Sequence, residues 1–489
     1  MEAFNRWARS ASAFDSTGHV ELSMKRLSSA RVLWKNPKYA ELDTFFCERR
    51  ATPDMADEHL LRHCAFAMAR PGESADAVAH ADRYGGAGIG LNGGSGRAVC
   101  LPGYHVKGIG RTPLVSPKIG FAHASGGAFL EECVREAAFS IVVDETFPHK
   151  AVPTLALIET GDVQVWQTEF GPKVEHKVLL VRPQFVRPAH FQRAVAHIGA
   201  DPLVGSIDQR RVALMFEAIV EHCGPSEVPE LFSRFAENWA RQISHGFVAR
   251  LLHSSYTTSN VTMEGRLLDF GAMSAVPSWA NCWTMRRPQP LASLFGKVEA
   301  ALQDLNHYIG RYVTSEAATA ERHRQRVASA RDAWERQLDL CLLDFVGVRD
   351  ANGWYESFDR PTLERYRDIR CAVFDHYQSC SIDFYDSRRE SLEWDLASLW
   401  TKPLNRALQR LADFLSASET DRSQADAHLR ARTCSMLGLY REVAKQDIYD
   451  TLDGSHDLDP SAVAGTISRL AQIGLEASGR DRYRSLDRE

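Results

Sequence analysis

The sequence lacks paired cysteines, a long apolar run and a strong excess of either charge. Its ten cysteines are scattered and none forms a Cys-x-x-Cys pair, so neither a disulfide framework nor a zinc knuckle is expected. No apolar run approaches the roughly 18 residues that a membrane helix needs, and the first residues lack a secretory apolar core. We therefore expect a cytoplasmic protein with no membrane partner.

The charge balance is close to neutral. The chain of 489 residues has 58 Lys and Arg against 63 Asp and Glu, a net charge of −5. This balance gives no reason to expect a nucleic acid as a partner. Apolar residues make up 44% and charged residues 25%, which is typical of an ordinary globular protein and excludes long disorder.

The hydrophobic pattern changes along the chain and predicts an α+β protein. Apolar residues first recur in short runs typical of strands and later recur at helical spacing. We predict four regions: a mixed, helical segment over residues 1–75, a strand-rich lobe over 76–200, a second lobe over 201–290, and a helical region over 291–489.

Individual elements are predicted within these regions. We expect adjacent strands at 98–101 and 104–106, followed by a helix over 129–143. Further strands are expected at 154–159, 163–166 and 178–181, with a turn at 160–162 between the first two. Helical spacing is found at 211–222, 232–252, 294–313, 317–343, 362–377 and 404–415.

Glycines are concentrated between Arg83 and Gly96. Seven of these 14 residues are glycine, a density incompatible with a stable helix. The segment predicts tight turns and a close approach of the backbone to a ligand.

Four features occur in the order of a kinase-like nucleotide site. The glycines come first, Lys107 follows on a predicted strand, Glu136 lies on a predicted helix, and Asn260 precedes Asp269 by nine residues. Backbone N–H groups of a glycine turn cover phosphates, a strand lysine binds phosphate and pairs with a helix glutamate, and asparagine and aspartate oxygens bind Mg²⁺.

The residues around these positions resemble the selenoprotein-O family of kinase-like protein adenylyltransferases. The matching segments span about residues 83–290 and follow the family's order. They are Gly94-Ser95-Gly96-Arg97-Ala98, Lys107-Gly108-Ile109-Gly110-Arg111-Thr112-Pro113, Val134-Arg135-Glu136, Val152-Pro153-Thr154, Phe185-Val186-Arg187 with His190-Phe191, His253 to Asn260, and Asp269-Phe270-Gly271.

The resemblance implies a two-lobed, protein-kinase-like fold with a large helical carboxy-terminal region. It also implies transfer of AMP from ATP to a protein or peptide acceptor, with release of pyrophosphate. By position, Lys107, Glu136 and Asp269 would be catalytic, and Asn260 and Asp269 would hold Mg²⁺ or Mn²⁺. The nucleotide-binding residues would be Gly93, Gly94, Gly96, Arg97, Lys107, Arg182 and Arg187.

Two departures from the family pattern affect this interpretation. Leu180 stands where the family has its first arginine, and Arg182 is the expected substitute. Ser259 replaces the aspartate that precedes the metal asparagine, and serine does not accept a proton near pH 7 without help. An acceptor that is already an anion, such as a peptide carboxylate activated during peptide tailoring, would need no such base.

Three other interpretations remain open. The chain would be a catalytically inactive, nucleotide-binding pseudokinase module if Ser259 reflects lost activity. A conventional protein kinase would transfer the γ-phosphate, although the segment at His253 contains no His-Arg-Asp sequence. A purely structural helical protein would leave residues 83–110 unexplained.

Overall fold

The protein is an α+β molecule in which an antiparallel sheet precedes a series of helices. The structure is a computed structural model. It describes residues 4, 7–8, 20–47, 56–86, 93–115, 124–169, 171–195, 208–276, 278–284, 287–348, 350–379, 381–383, 406–416, 422–443, 445–452 and 458–479.

Eight strands form the sheet in the order β2-β7-β8-β6-β5-β4-β1-β3, and every neighbouring pair is antiparallel. Three helices accompany it: α1 (Tyr39–Cys47), α2 (Ala56–Cys64) and α3 (Leu130–Thr146). The strands are β1 (Val20–Arg26), β2 (Arg31–Lys35), β3 (Phe66–Met68), β4 (Ala77–Ala81), β5 (Ala98–Leu101), β6 (Tyr104–Lys107), β7 (Ala156–Thr168) and β8 (Gly171–Pro183).

The first 75 residues contribute more strand than their sequence pattern indicates. Strands β1, β2 and β3 join the same sheet as the later strands. Strand β1 buries alternate residues, Leu22 and Met24, as a half-buried strand does. This alternation is short and lies beside two helices, so the helical signal dominates the sequence of this segment.

The predicted adjacent strands and the following helix are confirmed. Strand β5 pairs with β6 in the register Ala98↔Lys107 and Cys100↔His105. Because side chains alternate across a strand, His105 and Lys107 share one face of the sheet. Val106 belongs to the other face, where it packs in a separate apolar cluster with α2.

The predicted turn at residues 160–162 is wrong. Strand β7 continues through this segment as one long strand, with a bulge between Glu159 and Val163 opposite β8. Gly161 adopts a φ of +81° there, a conformation that glycine reaches without strain. The Thr-Gly-Asp sequence is typical of turns, but its glycine here allows a bulge instead.

The predicted helices from residue 211 onward are confirmed, with shifted ends. The helices are α4 (Asp208–Cys223), α5 (Glu227–Val248), α6 (Leu291–Tyr312), α7 (Ala320–Phe345), α8 (Ala351–Glu356), α9 (Arg360–Gln378), α10 (Arg406–Leu415), α11 (Arg422–Glu442), α12 (Lys445–Leu452) and α13 (Pro460–Ala477). Short strands lie at Leu251–Leu252 (β9), Ser274–Ala275 (β10), Asn281–Thr284 (β11), Arg287–Gln289 (β12) and Ser381–Asp383 (β13).

Side-chain caps define where several of these helices begin. Asp359 accepts a hydrogen bond from the N–H of Thr362 at the start of α9, and Thr319 accepts one from Arg322 at α7. Such caps satisfy backbone donors that have no partner inside the helix. Among the described helices, none is both long enough and apolar enough to cross a bilayer.

One large apolar core connects the sheet to the helical region. It extends from the face of the sheet that carries Leu157 and Leu180, through α3 and α5, to the carboxy-terminal helices. The site described below lies at the edge of this core. The four-region division at residues 76, 201 and 291 stays a prediction.

Candidate functional site

Lys107 is the last residue of β6 and lies at the centre of a cluster of charges. It is flanked by Ala98 on β5 and Leu180 on β8. The alternation of β6 turns its side chain toward α3, where only 10% of it is exposed. A lysine so deeply buried requires anionic partners.

Helix α3 supplies two of these partners, one helical turn apart. Glu132 Oε1 lies 2.7 Å from Lys107 Nζ, and Glu136 Oε1 lies 3.2 Å from the same nitrogen. Residues four apart face the same side of a helix, so both carboxylates reach one lysine. The predicted pairing of Lys107 with Glu136 is present, and Glu132 makes the shorter contact.

Asp269 is the third anionic partner and comes from a distant part of the chain. Its Oδ1 lies 3.4 Å from Lys107 Nζ, although 162 residues separate them. Its backbone has φ +64° and ψ +62°, a left-handed conformation that is uncommon for residues other than glycine. Glu136 Oε2 accepts a hydrogen bond of 2.9 Å from the Phe270 N–H, which ties this strained segment to α3. Strain of this kind is concentrated at functional sites.

Arg182 completes the cluster from β8. Its Nη2 donates to Glu136 Oε2 at 2.9 Å and to Asp269 Oδ1 at 3.0 Å. It lies two residues beyond Leu180 and therefore on the same face of the strand. Its other terminal nitrogen, Nη1, is buried and has no hydrogen-bond partner among the described residues. A buried guanidinium with an unused donor can still bind an anion.

The buried charges of this cluster hold one another ionised. Burial alone would lower the pKa of Lys107, but Glu132, Glu136 and Asp269 raise that pKa above its ordinary value. Burial would raise the pKa of Asp269, yet Lys107, Arg182 and Arg187 hold it well below its ordinary value. Opposite charges within a few ångströms favour the charged forms of both groups. Lys107 and Asp269 are therefore both charged at neutral pH.

Asp269 offers a carboxylate oxygen beside the cations, and Asn260 lies on a segment that is hydrogen-bonded to the residue before Asp269. The Asp269 side chain is 28% exposed, against 2% for Arg182, and hydrogen bonds from the described residues reach only its Oδ1. The Asn260 carbonyl accepts from the N–H of Leu268, the residue before Asp269, at 3.1 Å. The Asn260 Nδ2 donates to Ser255, which leaves its side-chain oxygen available.

Aspartate and asparagine oxygens are of the ligand type that suits a magnesium ion. Mg²⁺ prefers oxygen ligands and is commonly held by one or two side chains together with substrate phosphates. In the described part of the chain, no three His, Cys, Asp or Glu side chains are grouped so that they could hold a metal ion.

Arg187 belongs to a second buried cluster around Asp82, the residue after β4. Arg187 Nη2 lies 2.5 Å from Asp82 Oδ2, and His105 Nε2 and His190 Nε2 each lie 3.0 Å from the same carboxylate. Burial would raise the pKa of Asp82, but Arg187 and the two histidines keep it well below its ordinary value. Arg187 Nη1 also donates to the Ser259 carbonyl at 2.6 Å. The cluster thus joins the sheet to the segment that carries Asn260.

The glycines before β5 lie where the backbone packs closely against neighbouring residues or adopts a positive φ, so a larger side chain would not fit. Gly94 has a φ of +143°, and a Cβ there would collide with the carbonyl oxygen of Asp82. A Cβ on Gly96 would lie 2.9 Å from Val115 Cγ2, and Gly93 has a φ of +92°. Residues 87–92 of the glycine-rich segment lie outside the described residues. The predicted contact of these glycines with a nucleotide stays a prediction.

Arg97 follows this turn and reaches the Lys107 cluster indirectly. Its Nη2 lies 2.6 Å from Glu132 Oε1, and its Nη1 lies 3.0 Å from Glu132 Oε2. This paired geometry is the strongest that arginine forms with a carboxylate. Arg97 and Lys107 are therefore fixed to each other through Glu132.

The segment from His253 to Asn260 contains no carboxylate, and two of its side chains, those of His253 and Ser259, are hydrogen-bonded within the protein. His253 is buried, its Nε2 lies 2.7 Å from the Leu268 carbonyl, and burial lowers its pKa. It holds the segment before Asp269 in place. Ser259 is also buried, and its hydroxyl lies 2.8 Å from the Thr257 hydroxyl.

Sequence reasoning missed Glu132 and Asp82. Glu132 has a detectable signal, because it lies four residues before Glu136 on a predicted helix and so faces the same side. Asp82 has none, because its partners Arg187, His105 and His190 are brought to it only by the sheet.

Glu132→Gln is expected to destabilise the protein by about 3 kcal/mol, the lower end of the cost of breaking a buried ion pair. The substitution keeps the side-chain shape but leaves Arg97 and Lys107 short of one negative charge. Urea unfolding measures the loss. The matched change Glu321→Gln removes an exposed partner of Arg324 and is expected to have no measurable effect. Equal stability of the two variants would contradict the structural role of Glu132.

Comparison with known proteins finds several relatives that carry the same name. No family model matches the chain. The chain is 26% identical to the protein nucleotidyltransferase YdiU of Aromatoleum aromaticum over 186 residues, which cover 37% of this chain and 33% of that protein. It is 26% identical to YdiU of Xanthomonas oryzae pv. oryzae over 208 residues, and 27% identical to YdiU of Azoarcus sp. over 201 residues.

These matches cover about two fifths of this chain and about a third of the relatives' own length. Each of the three relatives carries the name protein nucleotidyltransferase. The similarity therefore supports nucleotidyl transfer as the general kind of function.

Proposed function

We propose that this protein is an ATP-dependent adenylyltransferase with a two-lobed, kinase-like arrangement. It transfers AMP from ATP to a protein or peptide acceptor. The bond between the α- and β-phosphates breaks, a bond forms between the acceptor oxygen and the α-phosphorus, and pyrophosphate leaves.

The convergence of Lys107, Arg182 and Asp269 carries this proposal. Asp269 Oδ1, in the segment before β10, lies 3.4 Å from Lys107 Nζ on β6 and 3.0 Å from Arg182 Nη2 on β8. Keeping these charges together in a buried place costs desolvation energy. Glu132 and Glu136 also pair with the two cations, and a ligand with several anionic oxygens would take the place of Asp269 beside them. The nucleotidyltransferase name of the relatives supports the same conclusion.

The proposed role of each residue follows from its charge. Lys107 and Arg182 would bind phosphate oxygens, with Glu132 and Glu136 fixing their positions. Asn260 and Asp269 would hold Mg²⁺ or Mn²⁺, which neutralises charge on the phosphates when it is bound. Gly93, Gly94, Gly96 and Arg97 form the adjacent turn, and Arg187 would reach a phosphate oxygen by exchanging one of its contacts with Asp82 or Ser259.

Label transfer tests the proposal. The purified chain is incubated with Mg²⁺, candidate proteins or peptides, and ATP labelled in either the α- or the γ-phosphate. We expect stable transfer of the α label and release of pyrophosphate. Transfer of only the γ label would identify a kinase and contradict the proposal. Calorimetric binding of ATP without transfer of either label would identify a nucleotide-binding pseudokinase module.

A peptide carboxylate is a second candidate acceptor, and Ser259 favours it. The place of the expected base is taken by a buried hydroxyl that is hydrogen-bonded to Thr257, while an anionic acceptor needs no base. The product would be an acyl adenylate. Hydroxylamine converts such a product to a stable hydroxamate, whereas an AMP ester on a serine, threonine or tyrosine hydroxyl does not give one.

A further inference from the structure

Helix α13 crosses α3, the helix that carries Glu132 and Glu136, at very short range. The contact is made by Gly474 of α13 and Val142 of α3. A Cβ added at Gly474 would lie 2.5 Å from Val142 Cγ2 and 3.2 Å from Cγ1. Real Cβ atoms do not approach so closely, so only glycine allows the two helices to pack at this distance.

The face of α13 that turns inward is continuously apolar or small. Five of its seven buried residues recur at alternating spacings of four and three, which form one stripe along a helix. They are Val463, Ile467, Leu470, Gly474 and Ala477. The stripe belongs to the same core as α3, and α13 contacts α3, α11 and β2.

Both ends of α13 are fastened to other elements. At its start, Arg31 of β2 donates from Nη2 to the Leu458 carbonyl at 2.7 Å and pairs with Glu159 of β7. At its end, Arg432 of α11 donates to the Ala477 carbonyl at 3.1 Å. The helix is therefore held between the edge of the sheet and a neighbouring helix.

Helix α3 contacts both the sheet, at β8, and α13. Fourteen of its 17 residues are buried. Val142 comes six residues after Glu136, which places it about 120° around the helix at 3.6 residues per turn. The contact of α13 with Val142 is therefore on a different face of α3 from the one that carries Glu132 and Glu136. It opposes movement of α3 away from its neighbours.

We propose that α13 is an intramolecular clamp that sets the position of α3 and so keeps Glu132 and Glu136 on Lys107. Docking of α13 and binding of nucleotide are then coupled, and each strengthens the other by the same factor. This inference rests on the proposed function for its nucleotide part. Its structural part, that α13 controls the order of α3 and of the Phe270 segment, is tested without nucleotide.

The test uses two glycines of the same helix. Gly474→Ala inserts a methyl group against Val142, whereas Gly465→Ala adds the same group where no atom lies within 4 Å. Hydrogen exchange is measured without nucleotide in peptides covering α3 and Phe270, whose N–H is bonded to Glu136. We expect faster exchange in both peptides for Gly474→Ala and unchanged exchange for Gly465→Ala.

Removing the opposing methyl groups should reverse the effect. The double variant Val142→Ala with Gly474→Ala is expected to restore slow exchange at Phe270. Ile467→Ala, which loosens α13 without crowding α3, is expected to accelerate exchange as Gly474→Ala does and keeps the test usable if that variant does not fold. If Gly474→Ala and Ile467→Ala both leave exchange in α3 and at Phe270 unchanged, α13 is not a clamp.

Calorimetry with Mg-ATP then tests the coupling. We expect the dissociation constant to rise about tenfold in Gly474→Ala, a change of about 1.4 kcal/mol, and to stay unchanged in Gly465→Ala. Equal affinity of the two variants would contradict the coupling. Failure of the unsubstituted protein to bind Mg-ATP would instead contradict the proposed function, while the exchange result would still decide on the clamp.

Discussion

Asp269→Asn is expected to lower AMP transfer by about 10³-fold, because it removes a carboxylate that contacts both Lys107 and Arg182 and is still 28% exposed. A metal ion that neutralises phosphate charge contributes several kcal/mol to the transition state, and each 1.36 kcal/mol is a factor of ten in rate. Asparagine keeps the shape of Asp269 but offers the ion no charge. Transfer of α-labelled AMP measures the loss.

The same substitution is expected to tighten the binding of ATP when no metal is present. In the unsubstituted protein, Asp269 Oδ1 occupies Lys107 at 3.4 Å and Arg182 at 3.0 Å, so it competes with phosphate for both cations. Removing this charge frees them and removes repulsion between the carboxylate and the phosphates. Calorimetry in EDTA should therefore show higher affinity in a variant that has lost its activity.

Asp332→Asn is the matched control. Asp332 lies exposed on α7, and both rates and affinities should stay unchanged. Loss of activity together with weaker ATP binding in EDTA would mean that Asp269 supports the site only structurally. Retained label transfer in Asp269→Asn would remove this cluster from the reaction altogether.

The sequence predicts those site residues that lie in recognisable motifs occurring in a characteristic order along the chain. Lys107, Glu136 and Asp269 lie in segments with distinctive neighbours, and the order of these segments together with the family resemblance predicts that they converge. Arg97 and Glu132 pair because a turn and a helix meet in space. The pairing of Asp82 with Arg187 depends on the sheet order β8-β6-β5-β4. No local pattern encodes either contact.

In the fold too, local elements are predictable from the sequence and pairings between distant segments are not. Helix α3 and the pair β5–β6 are local, and periodicity predicts them. Strand β1 joins β4 and β3 only through pairing with segments far along the chain, so its seven residues carry a weak signal by themselves. At Gly161, turn chemistry was outweighed by pairing with β8, which continues on both sides of the bulge.

Ser259→Asp is expected to raise AMP transfer to hydroxyl acceptors by about 10²-fold, the lower end of what a positioned general base contributes. The Thr257 hydroxyl lies 2.8 Å from the Ser259 hydroxyl, and the Arg187 guanidinium donates to the Ser259 carbonyl at 2.6 Å. A hydrogen-bond donor and a nearby cation both favour an ionised carboxylate. They offset the burial of this position, so the new aspartate should accept a proton near pH 7.

Ser259→Asn is the control, because it has the size of aspartate but cannot act as a base. If the natural acceptor is a hydroxyl, the aspartate variant should label it faster than the asparagine variant does. If the natural acceptor is a carboxylate, the new charge repels it, and the yield of hydroxamate should fall in Ser259→Asp alone. The two acceptor classes thus predict changes of opposite sign for one substitution. Equal rates for the aspartate and asparagine variants with both acceptors would show that residue 259 does not face the acceptor.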